Sequence, residues 1–494
     1  MEVILAGYNI DASIIEALKR KQCQQRDITP ETIAAAYARI SRSPKRVDEL
    51  RFEAQNEVES ARRSNKNIVF DMGHSSIAEH AVFNIDVIGI SRLLVEEVQR
   101  FRLCSFTEKS QRYVTFKSDF IVPDEIKGTV YESDFIETIQ TQNKFYQTAS
   151  QILVKNILEK NEGILEQPRM RSTLEGLAKE DARYALSLAT ATQFGMTINA
   201  RNLELMIRRL FALPFSEAKE YAEKLLKVTK DIAPSLIRYT TATQYDKDTR
   251  ASLRKGFDSL GALNGQGVVK RTTEVFLLEA TPNADTEILA ALLFSSSSLP
   301  FEECYNRANE MSNAQRKRIF LTLFQEMKAF DAPFREFENV DLLFELVVSA
   351  SCFAQLKRHR MASIHCQPYD VSLGVKVPPA FAEVGLNGKF QTVTKKTVTT
   401  YKKIKAENEF VATYILTNAH RRRVLMALNA RELYLISRLR MDKHAQWDIR
   451  NIATALIKQA KKVMPLAMML ATGKDAFDDV YKNIFVKTEV LSQK

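Results

Sequence analysis

The sequence predicts an α+β protein made of two related domains. The chain has 494 residues, more than one ordinary hydrophobic core organises, and this length fits two units of roughly 245 residues each. One constellation of arginine, serine and acidic residues occurs twice. Both halves also begin with a short apolar run typical of a strand, followed by a helical pattern.

In the first half, residues 3–8 form an apolar run that predicts a strand, and Thr29-Pro30-Glu31 is a plausible helix start. Residues 82–87 alternate between apolar and polar side chains, which predicts a half-buried strand. Residues 91–101 then have apolar positions at helical spacing. The first arginine cluster therefore follows the C-terminal end of a helix.

In the second half, residues 274–279 predict a strand and residues 285–289 the start of a helix. Residues 344–356 have helical spacing, whereas a strand over 340–346 is less clear. The tripeptide Asn-Ala-Arg, at Asn199 and again at Asn429, opens an amphipathic helix late in each half. We therefore expect domains at residues 1–245 and 274–494, joined by a polar linker over 246–273 that contains Gly265 and Gly267.

The composition, 45% hydrophobic and 27% charged residues, is that of a soluble globular protein. Five cysteines, odd in number and without a CxxC pair, argue against a disulfide framework and favour a cytoplasmic protein. No basic leader precedes the first apolar run, and no stretch has the roughly eighteen apolar residues of a membrane span. The net charge of +11 fits a nucleic-acid binder, an acidic ligand or a lysine-rich surface, and does not choose among them.

The repeated constellation is the main candidate for a functional site. Its first copy consists of Arg100, Phe101, Arg102, Ser105, Glu108, Ser110, Arg112 and Tyr113. Its second copy consists of Arg358, His359, Arg360, Ser363, Cys366, Pro368 and Asp370. Guanidinium groups bind phosphate in a bidentate manner, so the loop predicts a nucleotide ligand. A single copy would suit an ion-paired surface loop better, but the repetition favours a ligand site.

On these residues the chain resembles the flavin-dependent thymidylate synthases, the ThyX family, as a tandem duplicate. The family signature is Arg-His-Arg, then Ser, Glu, Ser and Arg at fixed spacing; the first copy has Phe101 for its histidine, and the second matches only the beginning. The family's upstream Glu-His pair is Glu79-His80, and the equivalent count in the second half gives Phe337-Glu338. The resemblance implies that each domain is a small, mainly antiparallel sheet with several long helices.

The resemblance also assigns ligands to individual residues. It implies substrate-binding roles for Glu108, Ser110, Gln111, Arg112, Arg183, Gln355, Arg358 and Arg440. It implies cofactor-binding roles for His80, Glu108, Arg358, His359, Arg360, Asn429, Arg431 and His444. Arg440 is the expected catalytic residue, because a guanidinium beside the pyrimidine ring stabilises the developing negative charge. No HExxH or paired Cys/His spacing occurs, so no catalytic metal is expected.

The implied activity is the reductive methylation of dUMP to dTMP, with methylenetetrahydrofolate as carbon donor and NADPH-reduced FAD as hydride source. The losses in the two copies are complementary, and family members are homotetramers with sites built from several subunits. We therefore expect two tandem chains to pair into a pseudo-tetramer with two working and two vestigial sites, and neither membrane nor nucleic acid to be required. Two alternatives stay open: a catalytically degenerate protein that binds nucleotides or nucleic acid, and a pyrimidine nucleotide hydroxymethylase.

Overall fold

The structure is a computed structural model that describes residues 1–20, 28–112, 114, 119–262 and 273–492, with side chains as far as residue 485. Cys23, Tyr113, Gly265 and Gly267 lie outside the described residues. In the described ranges, no helix has the length and apolar character needed to cross a membrane.

The chain divides into two compact units. Unit 1 consists of Met1–Val268 together with Pro379–Thr417, and unit 2 consists of Val269–Pro378 together with Asn418–Lys494. The units differ from the predicted halves, because a segment of the second half folds into unit 1. The two homologous halves of the sequence are therefore named separately, as repeat 1 and repeat 2.

Each unit contains one antiparallel sheet of four strands. The strands of unit 1 are β1 (Glu2–Tyr8), β2 (Val82–Ser91), β3 (Ser105–Glu108) and β4 (Ala191–Asn199), in the order β1-β2-β4-β3. The strands of unit 2 are β5 (Val275–Ala280), β6 (Asp341–Ser349), β7 (Ser363–Cys366) and β8 (Arg421–Asn429), in the order β5-β6-β8-β7. The same strand order in both sheets confirms the predicted α+β fold with a duplicated domain.

Helices cover most of the remaining chain. In unit 1 they are α1 (Ala12–Lys19), α2 (Glu31–Ile40), α3 (Val47–Asn56), α4 (Val58–Lys66), α5 (Arg92–Val98), α6 (Glu132–Glu159), α7 (Met170–Ala182), α8 (Ala200–Phe211), α9 (Ser216–Thr229) and α10 (Gln244–Ser259). Repeat 2 contributes α11 (Ala284–Ser295), α12 (Phe301–Glu310), α13 (Asn313–Phe324), α14 (Ala350–Leu356), α15 (Pro379–Glu383), α16 (Asn387–Lys405), α17 (Glu409–Ala412), α18 (Ala430–Arg440), α19 (Trp447–Val463) and α20 (Phe477–Ser492). Of these, α15, α16 and α17 belong to unit 1.

Several predicted strands and helix starts are confirmed, and the helix predicted over residues 344–349 is wrong. The strands at residues 3–8, 82–87 and 274–279, the helix start near Pro30 and both Asn-Ala-Arg helix starts are confirmed. Residues 344–349, predicted as helix, belong instead to β6. Their side chains alternate between buried and partly exposed positions on a sheet that has one covered face, and this period of two overrides the helical spacing.

The N-caps explain why both Asn-Ala-Arg sequences start helices. The side chain of Asn199 accepts a hydrogen bond from the backbone N–H of Asn202, and the side chain of Asn429 accepts one from Glu432. Each bond satisfies an amide that has no partner within the helix. Similarly, Ser91 caps α5 and Ser349 caps α14, so the arginine clusters that follow these two short helices are placed alike.

Unit 1 joins the long helices of both repeats through a polar interface. The Nε2 of Gln142 in α6 donates to the hydroxyl of Thr397 in α16 at 2.8 Å and to the carbonyl of Ile415 at 2.9 Å. The hydroxyls of Thr138 and Thr400 lie 2.9 Å apart in the same buried layer. Repeat 1 and repeat 2 therefore associate within one chain through buried hydrogen bonds.

Replacement of Gln142 by alanine should destabilise unit 1 by about 2 kcal/mol, because it leaves a cavity and removes the donor to two buried acceptors. Chemical denaturation followed by circular dichroism measures this loss. Glu137→Ala is the matched control on the same helix, since it removes only an exposed ion pair with Lys396 and should cost less than about 1 kcal/mol. Equal losses for both variants would contradict the importance of the buried layer.

Candidate functional site

In repeat 1, the end of β3 carries a buried carboxylate held by the neighbouring helix. Glu108 accepts hydrogen bonds from Arg92 Nη1 at 2.6 Å and from Gln99 Nε2 at 3.2 Å. Arg92 opens α5 and Gln99 ends it. Because the side chains of Glu108 and Arg92 are both nearly buried, the pair fixes the end of β3, from which residues 109–112 continue. Ser110 then accepts the backbone N–H of Arg112 at 3.1 Å, which turns the chain.

Arg112 and Arg183 both interact with a second buried carboxylate, that of Glu180. Arg112 forms an ion pair with Glu180, which lies in the last turns of α7, and Arg183 follows directly after that helix. Burial lowers the pKa of the Arg183 guanidinium; Glu180 opposes this shift, whereas the like charges of Arg112 and Arg92 reinforce it. The guanidinium of Arg183 is thus near enough to those of Arg112 and Arg92 to be repelled by both, and an anionic ligand would relieve that repulsion.

The structure therefore brings together the predicted substrate residues of repeat 1. Glu108, Ser110, Gln111, Arg112 and Arg183 all lie within unit 1, and Gln111 is buried beside the turn. Sequence reasoning missed Arg92 and Glu180. Arg92 stands in an apolar helical run and Glu180 in an ordinary acidic helix, so only their shared burial with the arginines reveals them.

The equivalent positions of repeat 2 are built differently. Cys366 pairs with Val424 on the neighbouring strand, and Glu108 pairs with Phe194 in the same way, so Cys366 and Glu108 are equivalent positions. By the same strand registers, Arg422 is equivalent to Thr192. Cys366 thus stands where repeat 1 has its carboxylate.

Arg422 is held by its own neighbours in repeat 2. Its guanidinium lies over the ring of Tyr369 at 4.4 Å and over that of Phe353 at 5.0 Å, and its Nε donates to the carbonyl of Gln367 at 2.9 Å. Asp370, at the position of Arg112, is acidic. This region is a packed structural contact without the arginine cluster of repeat 1.

Unit 2 instead contains a chain of hydrogen bonds that reaches Arg440. His359 Nδ1 lies 3.0 Å from Glu432 Oε1, and Arg440 Nε donates to His359 Nε2 at 3.0 Å. Arg440 Nη2 also donates to the carbonyl of Gln355 at 3.2 Å. His359 and Glu432 are buried, and burial lowers the pKa of His359, so its imidazole is neutral at pH 7.

A second hydrogen-bonded group follows α18. The side chain of Gln355 lies 3.4 Å from the side-chain oxygen of Gln446, which caps α19. The backbone N–H of His444 donates to Asp442 at 2.9 Å. The loop between α18 and α19 is therefore tied to α14 through Gln355, and the same loop carries His444.

Arg358 and Arg360 flank His359 and differ from it in burial. The imidazole points into the protein, whereas both arginines are exposed. A buried histidine between two exposed guanidinium groups gives one edge suited to an anionic ligand. In repeat 1, His80 is exposed and packs edge-on against Tyr37, with ring centroids 4.8 Å apart.

The strand registers correct one sequence assignment. Gly89, with φ of +73°, forms a β-bulge in β2 that has no counterpart in β6, so counting back from the arginines misses by one residue. Val82 pairs with Asn199 as Asp341 pairs with Asn429. Position 80 is therefore matched by Asn339 rather than by Glu338, and the histidine is absent from repeat 2 under either count.

The corrected alignment exposes an acid shared by both repeats. Glu338 matches Glu79, and each pairs with the arginine of Asn-Ala-Arg. Glu79 pairs with Arg201, and Glu338 Oε1 accepts from Arg431 Nη1 at 3.0 Å. Arg431, a predicted cofactor ligand, also donates to the carbonyl of Pro333 at 2.9 Å and stays partly exposed.

Comparison with known proteins agrees with this duplication. The family model described as "Thymidylate synthase complementing protein" matches residues 25–235 and 276–466. The UPF0159 protein Ta1429 of Thermoplasma acidophilum is 26% identical over 443 residues, which span 81% of this chain and 86% of that protein. A flavin-dependent thymidylate synthase of Clostridium tetani is 32% identical over 216 residues, 43% of this chain and 82% of the relative.

Among solved structures, the chain is similar to the flavin-dependent thymidylate synthase ThyX of Helicobacter pylori, whose crystal structure is complexed with FAD and dUMP. The identity is 19% and the TM-score 0.30, over 49% of this chain and 100% of that one. The family match covers well over half of the chain. The chain therefore belongs to the thymidylate synthase complementing protein family, the flavin-dependent thymidylate synthases, in a tandem-duplicated form.

Proposed function

We propose that the chain is a flavin-dependent thymidylate synthase that methylates dUMP, with methylenetetrahydrofolate as carbon donor and NADPH as reductant. The single observation behind this proposal is that each repeat has site residues that the other repeat lacks. Repeat 1 has the buried arginine cluster and lacks the His–Arg chain, whereas repeat 2 has the His–Arg chain and lacks the arginine cluster. Random loss of residues would not be expected to leave each repeat with the group of residues that the other repeat lacks.

The residues of repeat 1 bind and orient the nucleotide in this proposal. Arg112 and Arg183 offer guanidinium groups to the phosphate, and Glu180 keeps them in place. Glu108, held by Arg92, positions Ser110, Gln111 and Arg112 against the substrate. Charge-assisted hydrogen bonds of this kind are short and strong, so they determine both affinity and the register of the pyrimidine.

Repeat 2 supplies the group that activates the ring. Arg440 stabilises the negative charge that develops on the pyrimidine oxygen and nitrogen when carbon 6 accepts a hydride. FAD, when bound, supplies that hydride. The donor set fits such a cofactor, because Arg358 and Arg360 are exposed beside His359 and Arg431 lies at the start of α18, where a diphosphate finds guanidinium groups and a helix N-terminus.

Purified protein tests the proposal. We expect a yellow protein that loses its flavin colour with NADPH, and release of tritium from carbon 5 of labelled dUMP when methylenetetrahydrofolate is present. Mass spectrometry of the product distinguishes dTMP from a hydroxymethylated nucleotide. A colourless protein whose affinity for DNA or RNA falls steeply with salt would support the degenerate binding protein instead.

A further inference from the structure

The hydrogen bonds of unit 2 fix the protonation state of one imidazole. The guanidinium of Arg440 only donates, so Nε2 of His359 must accept through its lone pair. The ring proton therefore lies on Nδ1 and is donated to the carboxylate of Glu432. The result is an ordered chain from an anion, through a neutral imidazole, to the guanidinium that we assign to ring activation.

Repeat 1 provides an internal comparison for this chain of bonds. The arginine clusters match Phe101 to His359. The two Asn-Ala-Arg helices match Asn202 to Glu432 and Leu210 to Arg440. All three members are missing together.

In their place, Asn202 donates to the side chain of Asn199 at 2.8 Å, and Leu210 is buried in the core. Repeat 1 kept the fold without the three residues, so the network is not a requirement of the fold. It accompanies the repeat that retains the activating arginine.

We propose that Glu432 and His359 are positioning residues that aim the guanidinium of Arg440 at the pyrimidine, and that this alignment exists only while His359 is neutral. Protonation places a second N–H donor opposite the Nε–H of Arg440, and the two groups then repel each other. The inference rests on the proposed function for the role of Arg440, while the tautomer of His359 follows from the geometry alone.

The sign of the pH dependence follows from the groups around the imidazole. Among the described residues, Glu432 and Arg440 of α18 are the charged groups that act on His359, just beyond the end of α14. Burial lowers the pKa of His359, its bond to Glu432 raises it, and the charge of Arg440 lowers it. Because burial dominates, activity should fall only as pH drops below the usual histidine value of about 6.5.

Two substitutions at one position separate the two bonds. His359→Gln places an amide oxygen near Nε2 and keeps an acceptor for Arg440, whereas His359→Asn keeps a donor for Glu432 and loses that acceptor. We expect H359N to lose about 100-fold in kcat through misplacement of Arg440, and H359Q to remain at least about tenfold more active than H359N. Equal losses in both variants would overturn the proposal.

Glu432→Gln gives a readout that a purely structural role would not change. Removing the carboxylate takes away the charge that stabilises the imidazolium, so the acid limb of the kcat profile should move to lower pH. An acid limb at the wild-type position overturns the proposal, even if overall activity falls.

Nuclear magnetic resonance of the wild-type chain with ¹⁵N-labelled histidine and arginine tests the tautomer without turnover. The signal absent in H359Q should show protonated Nδ1 and unprotonated Nε2, and it should change on acidification together with the Nε–H of Arg440. A proton on Nε2 at neutral pH would overturn the inference. If the wild type turns over no dUMP, the proposed function fails, while this measurement still decides whether His359 positions Arg440.

Discussion

Replacement of Arg440 by alanine should lower the turnover of dUMP by about 100-fold to 1,000-fold, a loss typical of removing one preorganised donor from a developing anion. The loss should fall mainly on kcat, because the arginine cluster of repeat 1 still binds the phosphate. Steady-state kinetics with saturating folate and NADPH, together with the dissociation constant for dUMP, separate the two quantities.

Arg209→Ala is the control for this substitution. Arg209 lies at the same end of α8, one residue before the position that matches Arg440, and its side chain is mostly exposed. Turnover should stay within about twofold of the wild type, as expected for a surface substitution. A full loss of activity in this variant, or none in R440A, would contradict the assignment of ring activation to repeat 2.

Replacement of Arg183 by methionine should weaken the binding of dUMP by about 100-fold, since a charge-assisted bond to phosphate contributes on the order of 1.5–3 kcal/mol. The same substitution should not lower the free energy of unfolding of the ligand-free protein. Burial and two neighbouring arginines already disfavour the charge of Arg183, and an apolar side chain of similar size relieves that cost. Glu180 keeps its partner Arg112.

Thr413→Val is the matched control, because Thr413 occupies the position of Arg183 in repeat 2 and its hydroxyl donates to the nearby carbonyl of Glu409. Calorimetric titration with dUMP and thermal unfolding without ligand measure both effects. If R183M destabilises the ligand-free protein by several kcal/mol and binds dUMP normally, Arg183 is a structural residue and the substrate assignment is wrong.

Sequence patterns were sufficient where local chemistry decides the structure. The N-caps Asn199 and Asn429 predict the starts of α8 and α18, and the alternation of residues 82–87 predicts β2. These signals depend only on residues that are neighbours in the sequence. The strand at residues 344–349 was predicted as helix, because its apolar residues also fit helical spacing and the alternation of burial appears only in the sheet. The bulge at Gly89 was not predicted either, because one inserted residue leaves no recognisable pattern in the sequence of the strand.

Contacts between distant segments were beyond the sequence patterns. In the sequence, Glu432 looks like an ordinary acidic residue of an amphipathic helix. Its role appears only in the structure, where it bonds to His359, 73 residues away. The pairing of α6 with α16 buries Gln142, Thr397 and Thr400, which are polar residues that a hydrophobic pattern assigns to the surface. For this reason the compact units differ from the sequence repeats.

The number of dUMP molecules bound per chain tests most directly whether repeat 1 alone binds the substrate. Equilibrium dialysis with radiolabelled dUMP and the purified flavin-bearing protein gives this number without any assumption about turnover. We predict one nucleotide per chain, lost in R183M and retained in T413V. Two equivalent nucleotides per chain would show that repeat 2 binds substrate as well, and would contradict the assignment of substrate binding to repeat 1 alone.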